Sequence, residues 1–325
     1  MNIVVIGLGS MGRRRIRLIK KYNDSANIIG IDLNVERRNL LEKEYDIQTY
    51  ENLHNVLQYD DIYCAFICTS PLSHSKLINI CLKNNMHVFT ELNLVTDGYE
   101  ENISLAVEKN KILFLSSTFL YRAEIKRIKE VVKKHKKHLN YTYHVGQYLP
   151  DWHPWENFKD FFVGNKRTNG CREIFAIELP WIIETFGKID NIIVSKNKIS
   201  SLCLDYNDNY MVIIEHTSGH KGMLAVDVVS RKAVRNLEVY GEDLYMSWDG
   251  SAEGLKIINL QNKAEESIHL YNVVDQLDQY SKFVVENAYY EEIVAFFDSI
   301  ENNINPIYNF EKDKNVLKII DQIEA

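Results

Sequence analysis

The feature that most constrains this chain lies in its first dozen residues. Asn2-Ile3-Val4-Val5-Ile6 is a short apolar run rich in β-branched side chains. It stops at Gly7-Leu8-Gly9-Ser10-Met11-Gly12, and an Arg-rich, helix-like stretch runs from Arg13 to Tyr22. Buried strand, glycine turn and helix start, in that order, make up a dinucleotide-binding unit. Gly7 allows the tight turn, Gly9 lets a pyrophosphate approach the backbone, and Gly12 lets the helix pack on the strand. The helix start at Ser10 and Met11 offers unpaired N–H groups and partial positive charge to phosphates. A second apolar run, Asn27 to Ile31, ends at Asp32, twenty residues after Gly12. A carboxylate there accepts the ribose hydroxyls of the adenosine half of NAD. Gly7, Gly9, Ser10, Met11, Gly12 and Asp32 are therefore expected to bind the cofactor. The competing expectation is a similar domain whose turn no longer holds one. Asp32 favours NAD. NADP is admitted if Arg37 and Arg38, on the next helix, turn inward.

The same rhythm continues. Helices are expected over Val35–Tyr45, Leu77–Asn85 and Asp97–Asn110, with a short one at Leu53–Gln58. Apolar strands are expected at 63–68, 87–90 and 112–115. This is the pattern of a doubly wound parallel sheet. The strand at 63–68 ends at Thr69-Ser70-Pro71, with His74 just beyond. Pro71 forces the chain out of the sheet at the edge where ligands bind. The next strand ends at Glu91-Leu92-Asn93. Thr69, Ser70, Pro71, His74, Glu91 and Asn93 are thus further candidates for cofactor contact. Near Thr118 the pattern changes. An amphipathic helix at Ala123–Lys134 precedes alternating runs at Leu139–Gln147, Ile192–Val194, Met211–His216, Gly222–Val229, Asn236–Tyr240, Tyr245–Trp248 and Gly254–Ile258. Turn residues separate several of these, which predicts a large, mostly antiparallel sheet. The helices expected to cover one face are Cys171–Phe186, Tyr289–Asn302 and Lys312–Ile323. The expected fold class is α/β. A Rossmann domain over residues 1–119 is followed by an α+β substrate-binding and oligomerisation domain over residues 120–325.

Composition narrows the function. With 325 residues, 26% charged side chains and a net charge of -7, the chain has room for about two domains and lacks the basic balance of a nucleic-acid binder. The cluster Lys133 to His138 closes a helix, where cations complement the dipole. No run of about 18 apolar residues suggests a membrane span. The five cysteines are an odd number without paired spacing. They fit reduced thiols and an expected cytoplasmic location, as does a start without signal-peptide features.

The glycine turn, the Thr69-Ser70-Pro71-x-x-His74 turn, the His87–Glu91 strand end, the Gly170–Gly187 helix and the Pro306–Ile323 tail together resemble the Gfo/Idh/MocA oxidoreductases. The resemblance covers almost the whole chain. It implies NAD(P)-dependent hydride transfer on a cyclic polyol, sugar or nucleotide sugar, and a homodimer or homotetramer formed through the C-terminal sheet. Many members carry Glu-Lys-Pro where this chain has Glu91-Leu92-Asn93, so the Lys beside the reacting carbinol is replaced by Leu92. Members also place an Asp and a His four residues apart on the helix after a Gly-rich turn. Counted back from Gly187, those positions are Glu173 and Ile177. Counted forward from Gly170, they are Ile174 and Glu178. Neither register supplies the His.

Replacements are sought in two places. Gly146-Gln147-Tyr148-Leu149-Pro150-Asp151-Trp152-His153-Pro154-Trp155-Glu156 concentrates aromatic and polar groups in a Pro-stiffened loop. Tyr148, Asp151, Trp152 and Trp155, with Arg172, are candidate substrate contacts, because aromatic faces suit the C–H surface of a sugar. A loop pinned by buried Trp side chains is the plainer alternative. His153 is a candidate acid/base group, whereas His144, on a strand, is expected to be structural. On the helix, Glu173 and Glu178 are candidate catalytic carboxylates. Glu178 shares a face with Ile174 and Trp181, so it should point inward. Its structural alternative is a pair with Arg172, Lys166 or Arg167. No metal-ligand spacing is present. Two functions compete: a sugar-type oxidoreductase, and a nucleotide-binding member with a regulatory or non-redox role.

Overall fold

A computed structural model describes residues 1–58, 61–154, 156–277 and 281–325. The chain forms two compact units, Met1–Ser117 with Tyr289–Asn315, and Thr118–Ala288 with Val316–Ala325.

The first unit alternates strand and helix through β1 (Asn2–Ile6), α1 (Ser10–Tyr22), β2 (Asn27–Ile31), α2 (Val35–Tyr45), β3 (Gln48–Tyr50), β4 (Ile62–Ile67), α3 (Pro71–Lys83), β5 (His87–Thr90), α4 (Tyr99–Glu108) and β6 (Leu113–Leu115). The order across the sheet is β3-β2-β1-β4-β5-β6, with parallel pairs. The continuous apolar runs make sense here, since Ile3, Val4 and Val5 of β1 and Cys64 to Ile67 of β4 are fully buried. Chain order reverses between β1 and β4, so a crevice opens beyond their C-terminal ends. This is where ligands bind in open α/β sheets.

The second unit contains α5 (Ala123–Lys134), β7 (Asn140–Gly146), α6 (Gly170–Phe186), β8 (Ile189–Asn197), β9 (Asn209–His216), β10 (Lys221–Asp227), β11 (Val234–Gly241), β12 (Leu244–Trp248), β13 (Lys256–Ile258) and β14 (Glu265–Ser267). They form one sheet in the order β14-β13-β12-β11-β7-β10-β9-β8, in which β7 and β10 are parallel and the other pairs antiparallel. Alternation sets the two faces. Tyr141, Tyr143, Val212, Ile214 and Leu224 are buried. Tyr141 stacks on Phe186 of α6 at 4.2 Å, and Tyr143 meets Trp181 edge-on at 5.4 Å. The opposite face is open and carries Ile193, Ile213 and Met223 as cross-strand neighbours.

One expectation is corrected. Helix α7 (Glu286–Asn302) and helix α8 (Phe310–Glu324) were expected to cover the antiparallel sheet, yet residues 289–315 belong to the first unit, and only Val316–Ala325, with the rest of α8, belong to the second. The reason is aromatic packing. Phe296 meets Phe66, Phe89 and Phe114 edge-on at 5.2, 5.5 and 5.6 Å, and Phe297 stacks on Tyr22 at 4.6 Å. Asp313 is fully buried in this segment and accepts hydrogen bonds from Tyr99 and Tyr308.

Candidate functional site

The glycine turn has the clearance its sequence promises. Gly7 has φ +91°, and a Cβ there would lie 2.7 Å from the Cys68 carbonyl oxygen. A Cβ on Gly12 would lie 1.9 Å from the Gly7 oxygen, so α1 packs against the turn only with glycine there. Gly9 differs. A Cβ there would clash with nothing and would only touch the Arg37 guanidinium, whose Nη1 is 3.7 Å away. Gly9 also caps α1 without a side-chain bond, and no acidic residue occupies the first turn. The N–H groups of that turn therefore face a cradle that a side chain would fill, as an anion requires. Beside it, Asp32 accepts hydrogen bonds from Leu8 N (2.7 Å) and Asn34 N (2.8 Å). These residues fit a bound dinucleotide.

The neighbouring strand ends are braced from inside. Ser70 caps α3 with Pro71 in its first turn, and the Thr69 and Ser73 hydroxyls lie 2.7 Å apart. His74 is 1% exposed, and burial lowers its pKa. Its Nε2 is 2.9 Å from the Thr69 carbonyl, which can only accept, so the neutral ring carries its proton there. Its Nδ1 faces the Asn93 carboxamide at 2.6 Å. His74 and Asn93 thus fix the strand ends from within. Glu91 is held by Arg15, with Nε donating to Oε1 at 2.6 Å and Nη2 to Oε2 at 3.1 Å. Fully buried Arg15 also pairs with Glu292 at 2.7 Å. Burial raises the pKa of Glu292, against the pull of Arg15 and with the help of the Glu91 charge.

In the second unit, the two candidate carboxylates of α6 diverge. Glu178 is fully buried and wholly engaged. Its Oε1 accepts from Arg235 at 2.6 Å, and its Oε2 from Tyr143 at 2.8 Å and Trp181 at 2.7 Å. This corrects the expectation of a catalytic Glu178, and also its suggested pairing with Arg172, Lys166 or Arg167. The actual partner, Arg235, comes from β11 and was missed because only strand packing brings it there. Arg172 is corrected as a substrate contact. It is 6% exposed and forms ion pairs with Asp321, at 2.7 Å, and Glu324. Glu173 behaves differently. Its Oε2 is buried with no hydrogen-bond partner, and burial pushes its pKa up to about 7. Ile177 follows one turn later on the same helix.

The aromatic loop is partly tied down. Trp152 donates to the Gln147 carbonyl at 3.2 Å, and Arg231 lies over the Tyr148 ring at 4.0 Å. No motif in the sequence marks Arg231. His153 is half-buried against Phe161, with ring centroids 4.4 Å apart, and burial lowers its pKa. Asp151 is exposed, while Trp155 lies outside the described residues. His144 pairs with Asp227 at 2.7 Å. Among the described residues no three His, Cys, Asp or Glu side chains are grouped to hold a metal, and no helix is long and apolar enough to cross a membrane.

Comparison with known proteins agrees with this geometry. Residues 1–117 match the Gfo/Idh/MocA family model, described as an oxidoreductase family with an NAD-binding Rossmann fold. Myo-inositol 2-dehydrogenase of Thermotoga maritima is 23% identical over 342 aligned positions, covering 98% of this chain and 93% of that protein. Biliverdin reductase A of Mus musculus is 31% identical over 134 positions, 40% of this chain and 44% of that protein. Among solved structures, levoglucosan dehydrogenase in complex with NADH superposes with a TM-score of 0.80 at 12% identity, covering 100% of this chain and 95% of that one. A UDP-N-acetylglucosamine 3-dehydrogenase from Acidithiobacillus ferrooxidans superposes with a TM-score of 0.74 at 15% identity, covering 100% and 96%. At these identities the structural matches speak for the fold.

Proposed function

We propose that this chain, which through its residues 1–117 belongs to the Gfo/Idh/MocA oxidoreductases, is an NAD-dependent dehydrogenase or reductase acting on a CH–OH group of a sugar, polyol or nucleotide sugar. The observation that carries this reading is the open cradle at Gly9 beside Asp32. The named activities of the relatives, on inositol, levoglucosan and a nucleotide sugar, supply the substrate class.

A bound nicotinamide would supply the hydride acceptor or donor. The chain's own work is to hold the dinucleotide and to move one proton. Gly7, Gly9, Gly12 and the first turn of α1 take the pyrophosphate, and Asp32 takes the ribose. For the proton we choose Glu173 over His153. Leu92 and Ile177 cannot exchange protons, whereas a carboxyl with a pKa of about 7 can accept and return one at neutral pH. The buried, unpartnered Oε2 supports that choice. Tyr148, Asp151 and Trp152 are proposed to contact the substrate.

The open face of the second sheet supports a homo-oligomer. Ile193, Ile213 and Met223 are 59%, 46% and 53% exposed side by side, an apolar patch of the kind that associates. Five free cysteines support a cytoplasmic setting.

The reading is tested by incubating the protein with NAD and a panel of inositols, anhydrosugars, free sugars and UDP-sugars. Absorbance of the reduced nicotinamide is expected to rise with at least one of them. Saturable NAD binding with no turnover, in either direction, on any member would favour the non-redox alternative.

A further inference from the structure

The loops that follow β7 and β10 are joined edge to edge, and the join ends on Arg231. The two strands pair in parallel up to Gly146 and Asp227. Beyond them Gln147 N donates to the Asp227 carbonyl at 3.4 Å and Leu149 N to the Val228 carbonyl at 2.9 Å, so the loops continue the ladder. Gly146 is required at this approach, because a Cβ on it would lie 2.4 Å from Asp227 Oδ2. The Asp227 carboxylate then sets the course of the second loop. Its Oδ1 accepts from Val229 N (2.9 Å) and Ser230 N (2.7 Å), and its Oδ2 from the Ser230 hydroxyl (2.9 Å) and His144 Nε2 (2.7 Å). Arg231 comes next, and its guanidinium lies over the Tyr148 ring, 4.0 Å from the centroid. Val228, Leu149 and Trp152 close around Gly170, the first residue of α6, so the joined loops sit at the start of the helix that carries Glu173.

Arg231 has a platform but no counter-charge. It is exposed, and among the described residues no carboxylate pairs with it. Asp227 is engaged by the contacts above, and the exposed acids of the aromatic loop, Asp151 and Glu156, form no ion pair with it. Lys232, also exposed, adds a second positive charge. An arginine stacked face-on upon a ring keeps the edge of its plane free, and the N–H donors there match a carboxylate or phosphate in a two-point contact. The ring also holds the fork in place, so less side-chain freedom is lost when an anion arrives. Sugar hydroxyls are bound equally well by neutral donors. A fixed, unpaired cation in a chain with a net charge of -7 instead favours a negatively charged group. Tyr148 and Trp152, beside it, are the residues proposed above to face the sugar.

We propose that Arg231 is a specificity-determining residue whose guanidinium, held on Tyr148, binds an acidic group carried by the sugar, a carboxylate or a phosphate. This deepens the sugar-oxidoreductase reading above and rests on it for the sugar, and binding tests it apart from turnover. Glucose, galactose and N-acetylglucosamine are each compared with the corresponding uronate, 6-phosphate and UDP-sugar. All are titrated by calorimetry, with and without NADH, into the native chain, Arg231→Ala and Arg231→Lys. Far-UV circular dichroism checks that both variants fold. In at least one series an acidic member should bind about tenfold or more tightly than its neutral sugar. Arg231→Ala should weaken that member by about 10- to 100-fold and the neutral sugar by less than about threefold. Arg231→Lys keeps the charge and loses the fork, so it should fall between the two. Added salt should weaken the acidic member more than the neutral one. The form that shows the effect tells a carboxylate from a sugar phosphate or a nucleotide diphosphate. The proposal is overturned if no acidic member binds more tightly than its neutral sugar. It is also overturned if Arg231→Ala weakens acidic and neutral members alike, as a guanidinium that only props the loop would. Rates of NAD reduction separate the two readings. An acidic sugar that binds through Arg231 without turnover sinks the oxidoreductase reading alone; a neutral sugar turned over equally well by Arg231→Ala, with no acidic member preferred, sinks the role of Arg231 alone.

Discussion

Glu173 and Glu178 lie five residues apart on α6 and meet opposite environments. Glu178 has a guanidinium, a phenol and an indole around it, so its charge is compensated on both oxygens. Glu173 has a buried oxygen with no partner, and its proton is held up to about pH 7 instead of the ordinary 4.5. A folded-state pKa raised above the unfolded one means that ionisation opposes folding. The penalty is absent below about pH 4.5, grows as pH rises through the interval, and is complete above about 7. Glu173→Gln keeps the shape of the protonated form. Urea unfolding should find that variant more stable than the native chain by about 1–3 kcal/mol at pH 8, with no difference at pH 4. A constant difference across pH would mean that Glu173 ionises freely in the folded protein.

At the scale of elements, the first unit depends on one buried guanidinium. Arg15, from α1, joins the end of β5 through Glu91 to α7 through Glu292, and also donates to Ser116 at 3.2 Å. Removing it takes a buried guanidinium away from two buried carboxylates, which is the expensive way to break such a network. Arg15→Leu should therefore cost about 3–5 kcal/mol in chemical denaturation, whereas the exposed pair Arg13–Glu44 should cost under about 1 kcal/mol when broken. None of this was legible in the sequence. The Arg-rich start of α1 looks like a solvated helix face, and nothing local says that its third arginine turns inward. The strands and most helices were legible, because continuous apolar runs and alternation report burial directly. What escaped was pairing between distant elements. Arg235 with Glu178, Arg172 with Asp321 and Phe296 with the parallel sheet all need the tertiary fold to bring them together.

At the scale of the whole chain, the path runs through the first unit, then the second, returns 289–315 to the first and ends with Val316–Ala325 in the second. A contiguous split at 119 and 120 follows from the change of strand pattern near Thr118, which is a local signal. The return could not be seen, since an amphipathic helix does not name the sheet it will cover. The cofactor half of the site was legible in the glycine turn because each glycine answers a local steric demand. The chemical half was only partly so. The resemblance located Glu173, but its raised pKa comes from packing that no spacing encodes. Hydride transfer is proposed to be coupled to a proton on Glu173. It is tested most directly by the rate of NAD reduction from about pH 5 to about pH 9, with the substrate found active, in the native chain and in Glu173→Gln. Oxidation of an alcohol needs the ionised base, so the native rate should rise through about pH 7 and level off, while the variant is slow and lacks that inflection. An unchanged profile in Glu173→Gln would contradict the claim and return the proton to another group.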